Sequence, residues 1–309
     1  MTSHFENSGV IIYGSANMKD TAVGAGATVN VAHDTGQAGR TGSEEVADRW
    51  DIGIVTVIGK EADAIEKEFG LTPVRKAGWY FAVGGVDVAN LAVRMVVTRS
   101  LEAGQRPTMT ALGHLCRHYA PRIVALVGIG GGIHEDVSVG DVVVATRVVY
   151  YELRKETPMG TRYRGEERQA PAEIGHAVNR FFTEHGDPAE LLTTRMLGDV
   201  RSFRVLTGPI GSGEAVIADG NAAIRTYLAS YNDKILAVDM ESGGLTQYCH
   251  ENATGFRDPR GWVVLRGISD DANNKDDHYQ GIAARNAAVT LRELAPYLIV
   301  DRLGSAGNR

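Results

Sequence analysis

Short apolar runs alternate with amphipathic segments from about residue 50 to residue 300, and this alternation predicts an α/β fold. The clearest strand prediction is 122–127, a near-continuous apolar run that closes on Gly128, as expected for a strand buried on both faces. Apolar residues at helical spacing predict a helix over 61–69, where Gly70 stands at a typical C-terminal position. Strands and helices that alternate in this way are typical of a largely parallel sheet.

The same patterns predict the remaining elements, and no repeat at solenoid spacing is visible. The predicted strands cover residues 51–58, 80–83, 122–127, 141–145, 235–238 and 262–265. The predicted helices cover residues 61–69, 86–101, 109–119, 171–185, 221–231 and 282–298.

Residues 1–48 differ in composition from the rest of the chain, being rich in Gly, Ala, Thr, Asn and Ser. The simplest interpretation is a disordered leader, because its two short β-prone pieces cannot bury enough apolar surface to form a core. The alternative is a self-stacking segment over residues 8–32, because 10–13 is uncharged, Pro-free and rich in β-branched residues, which suits cross-β pairing. This segment resembles the short amyloid-type signalling motifs of some bacterial immune effectors, which implies a role in antiviral defence. The predicted division is a leader over 1–48, a folded domain over 49–301 and a tail over 302–309.

Composition and charge exclude several classes of protein. With 32 Lys and Arg against 38 Asp and Glu, the 309-residue chain has a formal net charge of −6 and lacks the basic excess that nucleic-acid binding needs. No apolar run reaches the ~18 residues of a membrane span, and the first residues do not form a signal peptide. Cys116 and Cys249 are too few for a disulfide framework or a four-thiolate zinc site. We therefore expect a soluble cytoplasmic protein that binds neither nucleic acid nor membrane.

Two glycine-rich turns are candidates for a close approach of the backbone to a ligand. The first, 128–133, follows a buried strand, but it is neither a dinucleotide fingerprint nor a P-loop, and a tight turn between strands is an equally good interpretation. The second, 208–217, contains Ser212 outside the Gly-x-Ser-x-Gly frame of a nucleophilic serine, so a serine hydrolase is disfavoured.

Acidic residues follow two of the predicted strands, where ligands collect in α/β sheets. Asp239 and Glu241 flank Met240, and a carboxylate there can accept hydrogen bonds from a vicinal diol such as that of ribose. The alternative is that such an acid caps the next helix. Asp270 follows the strand at 262–265, and an Asp near N7 of a purine can protonate the base and make it a better leaving group.

His114 and His118 are four residues apart on a predicted helix, a spacing that also suits a metal. No Glu lies between them, so histidines that pack or face the solvent are the favoured interpretation. We expect neither a metal nor another cofactor.

Four of these pieces together resemble the nucleoside phosphorylase superfamily over residues 51–300, and within it the branch of 5′-methylthioadenosine/S-adenosylhomocysteine nucleosidases. The resemblance implies a three-layer α/β/α sandwich around a central, twisted, mixed sheet. The pieces are 59–62, then 128–133 leading to 139–142, then 212–217, and finally 239–241 with 269–270.

The resemblance also implies roles for individual residues. Glu61 falls where the family places the acid that activates the attacking water. Asp270 acts on N7 of the purine, with Ser269 and Arg266 positioning it. Met240 lies under the ribose. The other substrate-binding residues implied are Glu241 at the ribose hydroxyls, Asp239 near it, Val216 and Ile217 at the edge of the base, and Gly130 and Gly131 in the first turn.

This sequence departs from the family at three positions. Phosphorolytic members carry an Arg and a Ser for phosphate near the first turn, whereas 125–129 contains neither a cation nor a hydroxyl, which favours water as the nucleophile. Nucleosidases usually have a Ser where Ile129 stands. Val216 replaces the aromatic residue that stacks on the base, and Phe203, Tyr150 or Tyr151 is a candidate substitute.

The predicted function is hydrolysis of the N-glycosidic bond of a purine, in particular adenine, nucleoside or nucleotide. Two alternatives stay open: a phosphate-dependent purine nucleoside phosphorylase, and a nucleotide-binding signalling module without turnover. The implied partners are the small-molecule substrate and, as is common in the family, further copies of the chain in a homodimer or higher oligomer.

Overall fold

The computed structural model describes residues 49–88, 91–194, 200–253, 257–272 and 278–299. The predicted leader over 1–48, its candidate self-assembly segment 8–32 and the predicted tail over 302–309 lie outside these residues. The leader, the self-assembly segment and the tail therefore remain predictions.

The described residues form β-strands and α-helices in an order that begins β–α and ends β–α. The strands are β1 (Ile52–Thr56), β2 (Thr72–Lys76), β3 (Trp79–Val88), β4 (Leu91–Arg99), β5 (Ile123–Gly132), β6 (Val142–Ala145), β7 (Arg147–Tyr150), β8 (Arg154–Thr157), β9 (Gly160–Tyr163), β10 (Glu166–Gln169), β11 (Ala189–Thr194), β12 (Val200–Thr207), β13 (Ile210–Ser212), β14 (Ala237–Asp239) and β15 (Gly261–Asp270). The helices are α1 (Gly59–Phe69), α2 (Gln105–Tyr119), α3 (Ala172–His185), α4 (Ala223–Tyr231), α5 (Ser242–Glu251) and α6 (Gln280–Leu298).

The central sheet is mixed, as the resemblance implied. β1, which is buried along its whole length, pairs in parallel with β4 on one side and β5 on the other. β5 continues past β1, pairs in parallel with β15 and ends antiparallel to β14. The register places Gly131 of β5 beside both Val238 and Asp270, so the ends of three strands meet at one point. The functional candidates collect there.

Two groups of helices cover the sheet and complete the predicted three-layer sandwich. α6 packs on β5 and β15 together with α1 and α3, while α2 packs on β1 and against α5. The buried face of α6 is built from small residues such as Ala283 and Ala287, which let the helix approach the sheet closely. Among the helices described, none combines the length and the apolar character needed to cross a bilayer.

The helix predicted over residues 86–101 was wrong, because most of this segment is β4. Its apolar residues satisfy a helical and a buried-strand pattern equally well, and short apolar runs do not separate the two. Val93, Val96 and Val97 are buried between β1 and β3, and β-branched side chains fit such a doubly paired strand. The helix that follows begins at Gln105, four residues before its predicted start.

Candidate active site

A cavity of about 160 Å³ opens at the point where β5, β14 and β15 end. Its described lining contains four carboxyl groups, those of Glu61, Asp239, Glu241 and Asp270, and no Lys or Arg. A larger groove, of about 830 Å³, lies elsewhere and contains none of the predicted site residues. Ten of the predicted site residues line the smaller cavity, the one at the strand ends: Glu61, Gly130, Gly131, Val216, Ile217, Asp239, Met240, Glu241, Ser269 and Asp270.

Glu61 is fixed by backbone N–H groups of the turn between β1 and α1 and of strand β5. It lies in the first turn of α1, where its Oε2 accepts hydrogen bonds from Val57 N at 2.6 Å and Ile58 N at 2.9 Å. Its Oε1 accepts one from Ile129 N at 2.8 Å. A carboxylate has about four acceptor positions, so one on Oε1 is left for a ligand. Burial raises the pKa of Glu61, against the opposing effects of Arg266 and the three backbone hydrogen bonds, and makes it a stronger base than an exposed glutamate.

Arg266 lies behind the cavity wall and holds two of the other acids. Its Nε donates to Oδ2 of Asp239 at 2.7 Å, and its Nη2 lies 2.6 Å from the same oxygen as an ion pair. Nη2 also donates to Oε2 of Glu241 at 3.0 Å. The prediction that Arg266 positions Asp270 was therefore wrong. The two residues are four apart on β15, or about 13 Å along a strand, which is beyond the reach of an arginine side chain.

One guanidinium nitrogen, Nη1 of Arg266, is buried and has no hydrogen-bond partner among the described residues. It lies over Gly128, the residue that β5 places beside Arg266. A Cβ on Gly128 would stand 2.5 Å from this nitrogen and 2.4 Å from Oε1 of Glu61. The absence of a side chain at Gly128 thus allows the acid and the guanidinium to meet. The sequence analysis assigned this glycine to a turn near a ligand and missed its contact with these two side chains.

Asp239 and Glu241 have different surroundings although they are two residues apart. Asp239 Oδ1 accepts hydrogen bonds from Ser212 Oγ at 2.7 Å and from the N–H groups of Ser242 at 3.2 Å and Glu241 at 3.3 Å. Together with Arg266 and the Ser242 hydroxyl, these donors occupy both oxygens of Asp239. The helix-capping interpretation therefore fits Asp239, which ends β14 and accepts a hydrogen bond from Ser242 N, the first N–H group of α5. Asp239 also lines the cavity, and its part in substrate binding stays a prediction.

Glu241 stands at the N-cap position of α5, yet its side chain does not cap the helix and lines the cavity instead. Gly104 N donates to its Oε1 at 3.1 Å, and Arg266 donates to its Oε2. Burial raises the pKa of Glu241 to about 7, with the charges of Asp239 and Glu61 adding to the rise and Arg266 opposing it. Near neutral pH its carboxyl group can therefore either accept a hydrogen bond from a hydroxyl or donate one to it.

Asp270 is the last residue of β15 and reaches the cavity through an irregularity in that strand. The register with β5 shifts between Ile268 and Asp270, and such a bulge redirects a side chain. Ala272 N donates to its Oδ1 at 3.0 Å, and Ser269 Oγ donates to its Oδ2 at 2.9 Å. The contact expected between Ser269 and Asp270 is thus present, and Glu61 and Asp270 open onto the same cavity.

The remaining wall is largely apolar. Ile217 packs against a buried apolar cluster that includes Ala272, while Val216 is half exposed at the rim. Of the three aromatic candidates, Tyr151 lines the cavity and Phe203 lines a separate small pocket. The sequence analysis did not assign Val57, Ile58, Ala103 or Gln280 to the lining.

The pair of histidines lies apart from this cavity. The ring of His114 stacks on Trp79 with centroids 3.5 Å apart, and the ring of His118 lies edge-on to Phe81. These contacts agree with the packing interpretation of the two residues.

Comparisons with known proteins were made on sequence and on structure. The profile of the phosphorylase superfamily matches residues 51–298. An ATP nucleosidase, Cap17, of Escherichia coli strain KTE188 is 25% identical over 255 residues, which covers 76% of this chain and 49% of that protein. A 5′-methylthioadenosine/S-adenosylhomocysteine nucleosidase of Shewanella loihica is 27% identical over 227 residues, which covers 72% of this chain and 88% of that protein. This chain thus spans about half the length of the ATP nucleosidase.

The fold has a match among solved structures. The crystal structure of the 5′-methylthioadenosine/S-adenosylhomocysteine nucleosidase from Neisseria meningitidis, in complex with methylthio-immucillin-A, matches with a TM-score of 0.61 at 20% sequence identity. The match covers 79% of this chain and 97% of that one. At this identity the likeness establishes the fold.

Proposed function

The chain belongs to the phosphorylase superfamily, and from this premise we propose that it is a purine nucleosidase, which hydrolyses the N-glycosidic bond of an adenine nucleoside or nucleotide. One observation carries the proposal: Glu61 and Asp270, far apart in the sequence, line one cavity together with Met240 and Glu241. The names of two relatives add support, since both describe nucleosidases of compounds that contain adenine.

The purine occupies the end of the cavity near Asp270. Val216 and Ile217 present backbone groups to the edge of the base, and Tyr151 supplies the aromatic surface that position 216 lacks. As the bond between C1′ and N9 breaks, Asp270 gives a proton to N7, so that the base leaves as a neutral molecule. Ser269 and Ala272 N hold the carboxyl group toward the base.

The ribose lies over Met240 with its hydroxyls at Glu241. Both oxygens of Glu241 are already oriented by Gly104 N and Arg266, so the diol meets an acceptor that does not need to reorganise. Glu241 and Glu61 also place negative charge near the ribosyl centre, which becomes positively charged as the base departs.

A water molecule attacks the ribosyl centre with Glu61 as the base. The remaining acceptor position on Oε1 of Glu61 and the unpartnered Nη1 of Arg266 meet over Gly128, and together they can orient one water. The water gives its proton to Glu61 as its oxygen bonds to C1′.

Hydrolysis is favoured over phosphorolysis by the charges of the cavity. A phosphate dianion would enter a lining whose described residues include four carboxyl groups and no cation. The buried guanidinium of Arg266 is engaged by Asp239 and Glu241, which offset its charge.

A substrate panel tests the proposal. Adenosine, 5′-methylthioadenosine, AMP and ATP are incubated with the full chain, with and without phosphate, and the released base is measured by chromatography. We expect free adenine from at least one of them at a rate independent of phosphate. Base release that requires phosphate and yields ribose 1-phosphate would identify a phosphorylase, and tight binding without release would identify a binding module.

The contact at Gly128 gives a test of the water site. Because an added Cβ would displace Glu61 and Arg266, we expect Gly128→Ala to lower kcat/KM by roughly 10- to 100-fold, as expected when a positioned group moves by about 1 Å. Gly85→Ala is the matched control, since Gly85 also lies in a strand and an added Cβ there meets nothing within 4 Å. Equal activity of the two variants would show that Gly128 does not shape the site.

The assembly and location of the protein remain proposals. We expect a homodimer or higher oligomer, as the resemblance to the family implies. The proposed cytoplasmic location is supported by Cys116 and Cys249, which are buried and unpaired. A role in defence depends on the leader and awaits a test of residues 8–32.

A further inference from the structure

We propose that Gln105 is a positioning residue for the ribose, because its carboxamide fixes the groups that hold both carboxylate oxygens of Glu241. The inference rests on the proposed function, in which Glu241 binds the ribose hydroxyls. Gln105 is the first residue of α2 and is buried, and the sequence analysis gave it no role.

The first connection runs through the backbone. Gly104, next to Gln105, donates its N–H to Oε1 of Glu241 at 3.1 Å. Gly104 has φ +113°, a conformation that a side chain would strain. The Gln105 side chain anchors this turn, because its Nε2 donates to Gly213 O at 2.7 Å and its Oε1 accepts from Gly244 N. The position of the Gly104 N–H therefore depends on the Gln105 carboxamide.

The second connection runs through Ser212. The Oγ of Ser212 accepts hydrogen bonds from Gln105 Nε2 at 3.1 Å and from Gly243 N at 2.9 Å. With both acceptor positions used, its own proton is directed to Asp239 Oδ1, at 2.7 Å. Asp239 in turn holds Arg266, which donates to Oε2 of Glu241. Thus each oxygen of Glu241 is held by a group that Gln105 helps to fix.

The same contacts explain why Glu241 is available to a ligand. The first N–H groups of a helix need acceptors, and an N-cap side chain usually supplies one. In α5 these groups are satisfied from elsewhere: Ser242 N by Asp239, Gly243 N by Ser212 and Gly244 N by Gln105. Glu241 therefore does not have to cap its own helix, and its carboxyl group is free to line the cavity.

The test compares a ribonucleoside with its 2′,3′-dideoxy counterpart. The readout is kcat/KM for the ribonucleoside divided by kcat/KM for the dideoxy compound, because only the ribonucleoside carries the hydroxyls that Glu241 binds. The two compounds differ in intrinsic lability, but this difference cancels when one ratio is compared between enzyme variants. The substrate is the best ribonucleoside or ribonucleotide of the panel above.

We expect Gln105→Met, which keeps the size of the side chain and removes its hydrogen bonds, to lower the ratio about tenfold, the effect of weakening one hydrogen bond to a charged group. In a Glu241→Ala background the same change should leave the ratio unaltered, because residues that act as a unit are not additive. Gln247→Met is the matched control: Gln247 lies on α5, contacts Arg168 and Glu251, and does not line the cavity.

A fall in kcat/KM that is equal for both substrates, or no fall at all, would overturn the inference, since a merely structural role does not select for the hydroxyls. Should Gln105→Met not fold, Gln105→Glu retains the acceptor for Gly244 N, loses the donor to Ser212, and is expected to give the same fall in ratio. If the wild-type chain releases no base from any compound, the proposed function fails separately. The preference is then measured as the binding affinity for the ribonucleoside divided by that for the dideoxy compound, and Gln105→Met should lower this ratio by the same factor.

Discussion

Replacing Asp270 with Asn should slow base release by roughly 10²- to 10⁴-fold, the range typical of a lost general acid. The variant should fold, because an amide oxygen can still accept the hydrogen bond from Ala272 N, and the Ser269 hydroxyl can turn to accept from the new NH₂ group. An amide cannot deliver the proton that the purine needs as it leaves. The measurement is adenine release under single-turnover conditions.

A substrate that needs no proton separates this loss from a general disturbance of the site. A purine nucleoside methylated at N7 already carries a positive charge on the base, so its cleavage by the wild type and by Asp270→Asn should differ far less than that of the parent nucleoside. Asp63→Asn, at an exposed acid paired with Lys67 on α1, controls for the change from acid to amide. Equal release of adenine by the wild type and Asp270→Asn would remove Asp270 from the mechanism.

The residues that bear the proposed chemistry could be found from the sequence because each stands near the end of a strand or the start of a helix. Asp239 and Asp270 end β14 and β15, Glu241 precedes α5, and the carboxyl ends of such strands converge in an α/β sheet. Glu61 lies in the first turn of the helix that follows β1, and its role was implied by the resemblance to the family. Motifs at element ends are local signals, and the register of the sheet brings them together.

The contacts between elements could not be found in this way. Gly128 and Gln105 contact groups that lie far away in the sequence, and nothing in their own neighbourhood indicates those partners. The error at Arg266 is different: the predicted strand ended at residue 265, whereas β15 continues to Asp270 and separates the two residues along one strand. The error over 86–101 shows the limit of periodicity, because a valine-rich run buried on both faces satisfies both patterns.

Replacing Glu61 with Gln should lower the rate of hydrolysis by a similar factor, on the order of 10²- to 10⁴-fold, because the attacking water loses its base. If the amide oxygen keeps the hydrogen bonds from Val57 N and Ile58 N, the new NH₂ group faces the N–H of Ile129, so a donor meets a donor. The attacking water that we propose between position 61 and Arg266 is then left without an acceptor.

The pH dependence distinguishes a base from a residue that only shapes the cavity. Glu61 must be ionised to take a proton, and burial raises its pKa, so wild-type activity should fall on the acid side at a pH above the ~4.3 of an exposed glutamate. The residual activity of Glu61→Gln should lack that fall, whereas Glu66→Gln, on the same helix but outside the cavity lining, should keep both the rate and the pH profile of the wild type. A Glu61→Gln variant that stays within tenfold of the wild-type rate with the same acid limb would assign the base to another group, and Glu241, the other buried acid with a raised pKa, would be the next to test.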